Sequence, residues 1–240
     1  MNKKIFALAV ALCIALPLLA GALRTANAAT PPTLTLAWKS GSYYTNLIPP
    51  ADFGKNFTIV LHVDNATNLW SWKIQVTWDP AYLTMVANPT EGSFLAGGSG
   101  FFQYTPYANT PGALNEIFDM RLTNDTVTGN GDLATFAFTV IQHGANSTAF
   151  TGITVSAVAM QDNVNNYATP TIVSGNMTTT IPGDISGNGK VDLSDLVTLA
   201  LSYGSMPGQP KWKPTADLSG NGKVDLADLV ILATHYGKHI

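Results

Sequence analysis

The chain has 240 residues, of which 46% are hydrophobic and 11% are charged, and its formal net charge at pH 7 is −3. This length allows one or two domains, each large enough to bury a hydrophobic core. The acidic balance argues against nucleic acid as a partner, because proteins that bind it use an excess of Lys and Arg.

The first 28 residues have the features of a secretory signal peptide. Lys3 and Lys4 form a basic start, an apolar run broken by Pro17 follows, and Ala26-Asn27-Ala28 fits the small-x-small cleavage pattern. We therefore expect an exported protein, secreted or held at the cell envelope, with residues 1–28 removed. An uncleaved membrane anchor is the alternative, because the apolar run is just long enough to span a bilayer.

Cleavage would change both charge and cysteine content. The segment carries Lys3, Lys4 and Arg24 and no acid, so its loss takes the formal net charge from −3 to −6. Cys13 is the only cysteine and lies in the same segment. The mature protein would then have no disulfide, no thiolate metal site and no cysteine nucleophile. Its stability must come from a large core or from bound metal.

Residues 31–180 have the period-two pattern of β-strands. Trp72, Ile74 and Val76 alternate with polar residues, as expected of a strand with one buried face. The predicted strands are Thr33–Lys39, Phe57–Val63, Trp70–Trp78, Tyr82–Val86, Glu116–Leu122, Phe136–Val140, Ile153–Met160 and Thr171–Thr179. Turn-rich pieces separate them at Asn88-Pro89, Gly97–Gly100 and Thr128–Asp132. This mainly β pattern predicts a jelly-roll-type β-sandwich.

Five Asn-x-Ser/Thr sequons fall in or near the predicted strands and are candidate glycosylation sites: Asn56, Asn65, Asn124, Asn146 and Asn176. A sequence rich in Thr and Asn also produces such triplets by chance. Both interpretations stay open at the level of sequence.

The C-terminal region, residues 184–240, contains a tandem repeat after a short linker at residues 181–183. Residues 184–204 and 217–237 align at a fixed offset of 33, with 16 of 21 positions identical. Such close duplication indicates a module of two equivalent units. Pro207, Pro210 and Pro214 predict a non-helical connector between them.

Each unit opens with a twelve-residue loop of the type that binds calcium in EF-hands. Positions 1, 3, 5, 7, 9 and 12 supply oxygen ligands, position 7 through its main-chain carbonyl. In the first loop these are Asp184, Ser186, Asn188, Lys190, Asp192 and Asp195. In the second loop they are Asp217, Ser219, Asn221, Lys223, Asp225 and Asp228. All six acidic residues of the region sit at positions 1, 9 and 12, so we expect two bound Ca²⁺ ions.

A helix is predicted to follow each loop. Leu196, Val197, Leu199 and Ala200 form an apolar stripe that ends at Gly204, and the second unit repeats this up to Gly237. Val191 and Val224, at position 8, are expected to pair the two loops across a small ladder and to fill the core of the module. The alternative to calcium binding is that Asp195 and Asp228 only cap the helix starts.

These repeats resemble a type I dockerin, a module with two calcium loops that each lack the entering helix of an EF-hand. Pro182-Gly183 leaves no room for an entering helix, and Asp at position 12 agrees with the family. Ser at position 3 and Asn at position 5 depart from it. The resemblance implies that cohesin-type domains are the partners and that loop positions 10 and 11 set specificity. These positions are Leu193, Ser194, Leu226 and Ala227. It also implies two equivalent binding orientations.

The sandwich region resembles a cohesin, the receptor of dockerins. The resemblance lies in the segment from Trp70 to Leu83, with its Asp79-Pro80 pair, and in the Gly-Asn-Gly-Asp-Leu-Ala run that begins at Gly129. It implies a second interaction module that could bind dockerins. Related sandwiches bind carbohydrate, so a carbohydrate-binding module delivered to a polysaccharide-degrading complex is the alternative.

Two further sets of residues bear on these alternatives. Exposed aromatic side chains could stack on sugars, and the candidates are Tyr43, Tyr44, Phe101, Phe102, Tyr104 and Tyr107. Packing at a strand edge or in the core is the other interpretation. Catalysis is not expected, because Glu91 with Glu116 or Asp119 is the only loose carboxylate pair. His62 and His143 have no nucleophile signature near them. The sequence therefore predicts a non-catalytic assembly protein.

Overall fold

The computed structural model describes residues 31–48, 54–96, 100–104, 111–141, 150–164, 167–178 and 181–239. The predicted signal peptide, the sequon at Asn146 and the residues Tyr107 and His143 lie outside the described residues. In the part that is described, no helix has the length and hydropathy needed to cross a bilayer.

The N-terminal region is built from β-strands. They are β1 Thr33–Ser40, β2 Tyr43–Thr45, β3 Leu47–Ile48, β4 Asn56–Leu69, β5 Ser71–Thr77, β6 Leu83–Glu91, β7 Gly100–Tyr104, β8 Ala113–Arg121, β9 Val127–Val140, β10 Phe150–Gln161, β11 Tyr167–Ala168, β12 Thr171–Val173 and β13 Gly175–Thr178. The mainly β prediction is confirmed, and the strands form a sandwich of two sheets.

The two sheets have non-sequential strand orders. The first runs β12-β1-β4-β9-β6, with β2 paired to β1. The second runs β3-β13-β10-β5-β8-β7, with β11 paired to β10. Pairing is antiparallel except at two edges, where β12 lies parallel to β1 and β3 lies parallel to β13. Because β5 lies between β10 and β8, the period-two segment around Trp72 is in the middle of the second sheet.

The core of the sandwich is formed by the inward faces of both sheets. Trp72, Ile74 and Val76 of β5 are buried, as the alternation predicted. Phe136 and Phe138 of β9 are fully buried and complete the core from the first sheet. Close packing of this apolar surface is what stabilises the two-layer arrangement.

Two predicted turns are in fact inside strands. Thr128–Asp132 belongs to β9, which continues pairing with β4 through register shifts near Ala66. Gly129 has a φ of +128°, so the strand passes this point on a conformation that glycine tolerates. Asn88-Pro89 lies in β6, where the register with β9 also shifts. Bulges absorb the turn-forming residues without ending the strand.

The predicted strand Thr171–Thr179 is divided into β12 and β13, which join different sheets. Single-residue breaks of this kind let one chain segment cross from one sheet to the other. The edge strands β2, β3, β7 and β11 were not predicted. They are short, and their pairing partners, not their sequence pattern, define them.

The C-terminal region contains two α-helices, α1 Leu193–Ser202 and α2 Leu226–His235, and a 3-10 helix at Pro214–Ala216. The predicted helix ends agree with Gly204 and Gly237, whose φ angles are +77° and +83°. A second, smaller core joins the two units. Ile181, which was predicted to lie in a short linker, packs into this core, so residues 181–183 are part of the C-terminal module.

Candidate metal and partner-docking site

Each C-terminal loop is folded around the carboxylate at its first position. Asp184 accepts hydrogen bonds from the N–H groups at loop positions 5 and 6, at 3.0 Å and 2.8 Å. Asp217 does the same at 3.1 Å and 2.9 Å. Position 6 is Gly189 or Gly222, with φ of +80° and +82°, where the chain turns sharply. The two repeats therefore fold into the same loop.

The side chains predicted to bind metal lie beside one another in pairs. Ser186 Oγ is 3.4 Å from Asp184 Oδ1, and Asn188 Nδ2 is 3.3 Å from Asp192 Oδ2. The corresponding distances in the second loop are 3.3 Å and 3.5 Å. Positions 1 and 3, and positions 5 and 9, are therefore close enough for both members of each pair to contact one ion.

The carboxylates at position 12 close each loop onto its helix. Asp195 is fully buried and accepts from the main-chain N–H groups of Ser186 at 2.7 Å and Asp192 at 2.8 Å. Asp228 is equally buried and makes the equivalent bonds at 2.8 Å and 2.7 Å. Both form capping boxes with the N-cap Asp. The helix-capping interpretation of these residues is therefore realised in the structure.

The loops concentrate negative charge. Burial raises the pKa of Asp217, and the charge of Asp228 adds to this effect. A hydrogen bond from Ser194 lowers the pKa of Asp192. Among the described residues no three His, Cys, Asp or Glu side chains form a metal-binding cluster. The donors of each loop are mixed Asp, Ser, Asn and carbonyl oxygens, which suit a hard cation such as Ca²⁺.

Main-chain hydrogen bonds join the two repeat units, and each unit supplies one valine and one helix end. Val191 donates to the carbonyl of Lys238 at 2.9 Å and accepts from Gly237 at 2.8 Å. Val224 donates to Ser205 at 3.0 Å and accepts from Gly204 at 2.8 Å in the other direction. The predicted ladder between the two loops was wrong, but the prediction that Val191 and Val224 fill the core is confirmed. Each valine is buried, but it pairs with the chain that follows the other unit's helix.

The helices bury a narrower face than the sequence predicted. Leu199 and Leu232 are buried, but Val197 and Ala200 of the predicted stripe are exposed. An outward row of apolar residues runs along α1 instead, with Leu193 63% and Leu201 70% exposed on either side of Val197. A spacing of four residues places them on one helix face.

The second helix presents a matching surface. Leu226 is 62% exposed, and Val230 and Tyr236 are also exposed. Ser194 and Ala227, the other residues predicted to contact a partner, are exposed as well. Sequence reasoning missed Leu201, although its i+8 spacing from Leu193 was visible, and Tyr236, which is the C-cap residue that directly follows the second helix. We call the exposed apolar residues of α1 and α2 the helix face.

Four of the candidate glycosylation sites lie in the described residues. Asn56, Asn65, Asn124 and Asn176 are all exposed on the sandwich. Asn65 has a φ of +57° and its N–H bonds to Asn130 Oδ1 at 2.8 Å. Asn56 Oδ1 accepts a hydrogen bond from the Thr139 hydroxyl.

A cluster that the sequence did not predict lies on the first sheet. His62 Nδ1 is 2.8 Å from Asp132 Oδ1, and its ring stacks on Tyr44 with centroids 3.8 Å apart. Lys39 bonds to Asp132 and lies over the Tyr44 ring. His62 is thus buried by these partners. Burial would raise the pKa of Asp132, but hydrogen bonds from Lys39, His62 and Tyr44 lower it overall.

Three of the candidate aromatic residues pack partly against the sandwich, and Asp119 lies inside it. Phe102 and Tyr104 lie against the sandwich core, and Phe101 contacts Phe118 with ring centroids 5.4 Å apart. Asp119 is buried, and burial with the nearby charge of Glu91 raises its pKa to about 6. Phe101, Phe102 and Tyr104 are each half-buried, whereas Asp119 is buried.

Comparisons with known proteins agree with the sandwich. Solved structures with this fold include the sixth cohesin of Acetivibrio cellulolyticus scaffoldin B in complex with a Cel5 dockerin mutant. That structure has 14% identity, covers 62% of this chain and 99% of its own, and has a TM-score of 0.50. A type II cohesin from the A. cellulolyticus cellulosome has 14% identity, 61% and 95% coverage and a TM-score of 0.49.

A third similar structure is a non-cellulosomal cohesin from the archaeon Archaeoglobus fulgidus, with 14% identity, 61% and 89% coverage and a TM-score of 0.44. No curated protein matches the chain. Among protein families, residues 50–179 match the Cohesin domain. Because this match spans more than half of the sequence and coincides with the two-sheet sandwich, the chain belongs to the cohesin family.

Proposed function

We propose that this chain is an exported, non-catalytic assembly protein that joins other proteins through two modules. The sandwich belongs to a family of non-catalytic scaffold modules. The C-terminal module, with its two loops and two helices, acts as a calcium-dependent dockerin. Export rests on the signal-peptide pattern of residues 1–28.

The main support for the proposal is the exposure of apolar residues on the helix face. Leu193, Leu201 and Leu226 are each more than 60% exposed on short helices that are otherwise packed and capped. Exposed apolar rows of this kind are costly in solution unless a partner covers them. An apolar helix face with polar neighbours such as Ser194 is a typical protein-docking surface.

Calcium would hold the helices that display this face. The oxygens of Asp184, Ser186, Asn188, Asp192 and Asp195, with the carbonyl of Lys190, would hold one ion, and the equivalent set of the second loop would hold another. When bound, the ion supplies positive charge that offsets the crowded carboxylates. The loop residues themselves position the helix start through the capping bonds of Asp195 and Asp228.

The two modules suggest opposite partners. The C-terminal module would bind cohesin-type domains, whereas a cohesin-family sandwich would bind a dockerin. The similar scaffoldin B cohesin is described in complex with a dockerin. A protein with both modules would connect neighbours head to tail, and polysaccharide catabolism is the process such assemblies serve. Carbohydrate binding by the sandwich stays the alternative, with the half-buried Phe102 and Tyr104 as its candidate contact residues.

A calcium-dependent capture experiment tests the proposal. The full chain is immobilised, incubated with the host secretome in Ca²⁺ or in EDTA, and retained proteins are identified by mass spectrometry. We expect proteins with cohesin domains in Ca²⁺ only, and their loss in an L193D/L226D variant. The control is L122D, which changes an exposed leucine of the sandwich. Capture that EDTA or L193D/L226D leaves intact would contradict the docking function.

A further inference from the structure

The hairpin of β1 and β2 lies against the second loop of the C-terminal module. A Cβ atom built on Gly222 would be only 2.8 Å from Tyr43 Cγ and 3.0 Å from Cδ2. Real Cβ atoms do not approach an aromatic ring this closely, so the glycine backbone itself lies on the ring face. Both residues belong to the compact unit that begins at Pro31.

The hairpin is fixed to the sandwich by the neighbouring residue. Tyr44 pairs with Lys39 across the hairpin and stacks on His62 of β4. Lys39 in turn bonds to Asp132 of β9. Because successive side chains of a strand point in opposite directions, anchoring Tyr44 on the sheet turns Tyr43 away from it. Tyr43 is thereby presented to the second loop.

The two loops are covered unequally, although their sequences are almost identical. Ser186 of the first loop is exposed, whereas Ser219 at the same position of the second loop is half-buried. Gly187 is half-buried, whereas Gly220 is buried. Burial raises the pKa of Tyr43, and the charge of Asp217 adds to this effect. These differences agree with a sandwich element that covers the second loop more than the first.

We propose that the β1–β2 hairpin is a docking site in cis for the second loop, with Tyr43 as its contact residue. The docking fixes the C-terminal module on the sandwich. It also makes the two repeats non-equivalent, because the second loop is held within the chain and the first remains open. The contact itself does not depend on the proposed function. Its consequence, one preferred binding orientation instead of two, rests on that function.

NMR of the full chain tests the contact directly. An aromatic ring shifts the signals of a glycine lying on its face, so Y43L should move the resonances of Gly222 and leave those of Gly189 in place. The measurement is made with and without Ca²⁺. If Y43L leaves the Gly222 signals unchanged in both conditions, the cis docking is overturned.

A matched pair of alanine substitutions tests its energetic consequence. G189A and G222A place a side chain at the same loop position and at nearly the same φ, +80° and +82°. The new side chain of G222A also meets the Tyr43 ring, so G222A should lower the melting temperature of the C-terminal module more than G189A. In a Y43A background the two effects should become equal. Equal effects in the wild-type background would overturn the proposal.

The two proposals fail in different ways. If calcium titration gives no heat but Y43L still moves the Gly222 signals, the docking in cis stands and the calcium-dependent function does not. If calcium binds but Tyr43 and Gly222 show no coupling, the assembly function stands and the repeats are equivalent.

Discussion

Asp119 is a carboxyl group placed among the apolar side chains of the sandwich. It pairs in register with Trp72 on one side and Phe102 on the other. Its Oδ1 is one of the buried side-chain atoms in the described residues that have no hydrogen-bond partner. Burial and the charge of Glu91 together raise its pKa to about 6. A carboxyl group with a raised folded-state pKa favours folding most when protonated. The stability that it contributes is therefore lost as pH rises from about 4 through about 6.

The substitution D119N should stabilise the sandwich at pH 7.5 and change little at pH 4. A shift of about two pKa units corresponds to roughly 3 kcal/mol, which is an upper value for the gain. Urea unfolding at several pH values measures it. E91Q should give a smaller gain at pH 7.5, because it removes one cause of the raised pKa. Destabilisation by D119N at every pH would contradict this account.

Asp132 has the opposite pH behaviour. Hydrogen bonds from Lys39, His62 and Tyr44 outweigh burial and lower its pKa, so its contribution to stability is present above pH 4 and lost as pH falls through the lowered value. D132N should cost about 1–3 kcal/mol near pH 7, since it leaves partly buried partners unsatisfied. The control is D64N, because Asp64 lies 3.5 Å from His62 Nε2 and is more exposed. A cost that persists unchanged at pH 2 would be inconsistent with ionic pairing.

At the scale of elements, the sequence pattern predicted the strands that face the core and the helices that follow the loops. Trp72, Ile74 and Val76 could be placed because both neighbours of their strand bury the same face. Edge strands such as β2 and β7 could not, because their pairing depends on distant residues. The His62 cluster is similar, since β4 and β9 bring His62 opposite Asp132 across 70 residues. The two C-terminal loops were predictable because the hydrogen bonds to their carboxylates at positions 1 and 12 come from residues within the same loop.

Calcium binding by the loops can be tested because some of the proposed ligands are side chains and one is a main-chain carbonyl. D184N and D217N each weaken a charged ligand at position 1, so each single variant should bind one Ca²⁺ in place of two and the double variant none. K190A and K223A should leave the stoichiometry unchanged, because position 7 uses its main-chain carbonyl. Isothermal titration of the full chain measures all five. Loss of an ion in the lysine variants would show that the loops do not bind as EF-hand loops do.

At the scale of the whole molecule, two hydrophobic cores of very different size share one chain. The sandwich core extends from Leu34 to Met160 and includes several large aromatic side chains. The C-terminal core is formed by a few aliphatic residues such as Val191, Leu199 and Leu232. Because stability grows with buried apolar area, the sandwich should be stable alone, whereas a module so small needs bound metal or a neighbour.

Calorimetry should therefore resolve two transitions in the full chain, with only the smaller one sensitive to calcium. Adding EDTA should lower the smaller transition and leave the larger one in place, since the loops lie outside the sandwich core. Ligand that binds only the folded form raises stability by mass action, so the smaller transition should also rise with Ca²⁺ concentration. The Tyr43 contact links the sandwich to the C-terminal module. Y43A should therefore increase the difference between the two transition temperatures. A single transition that shifts as a whole on chelation would mean that the loops stabilise the sandwich as well, and the modules would then act as one cooperative unit.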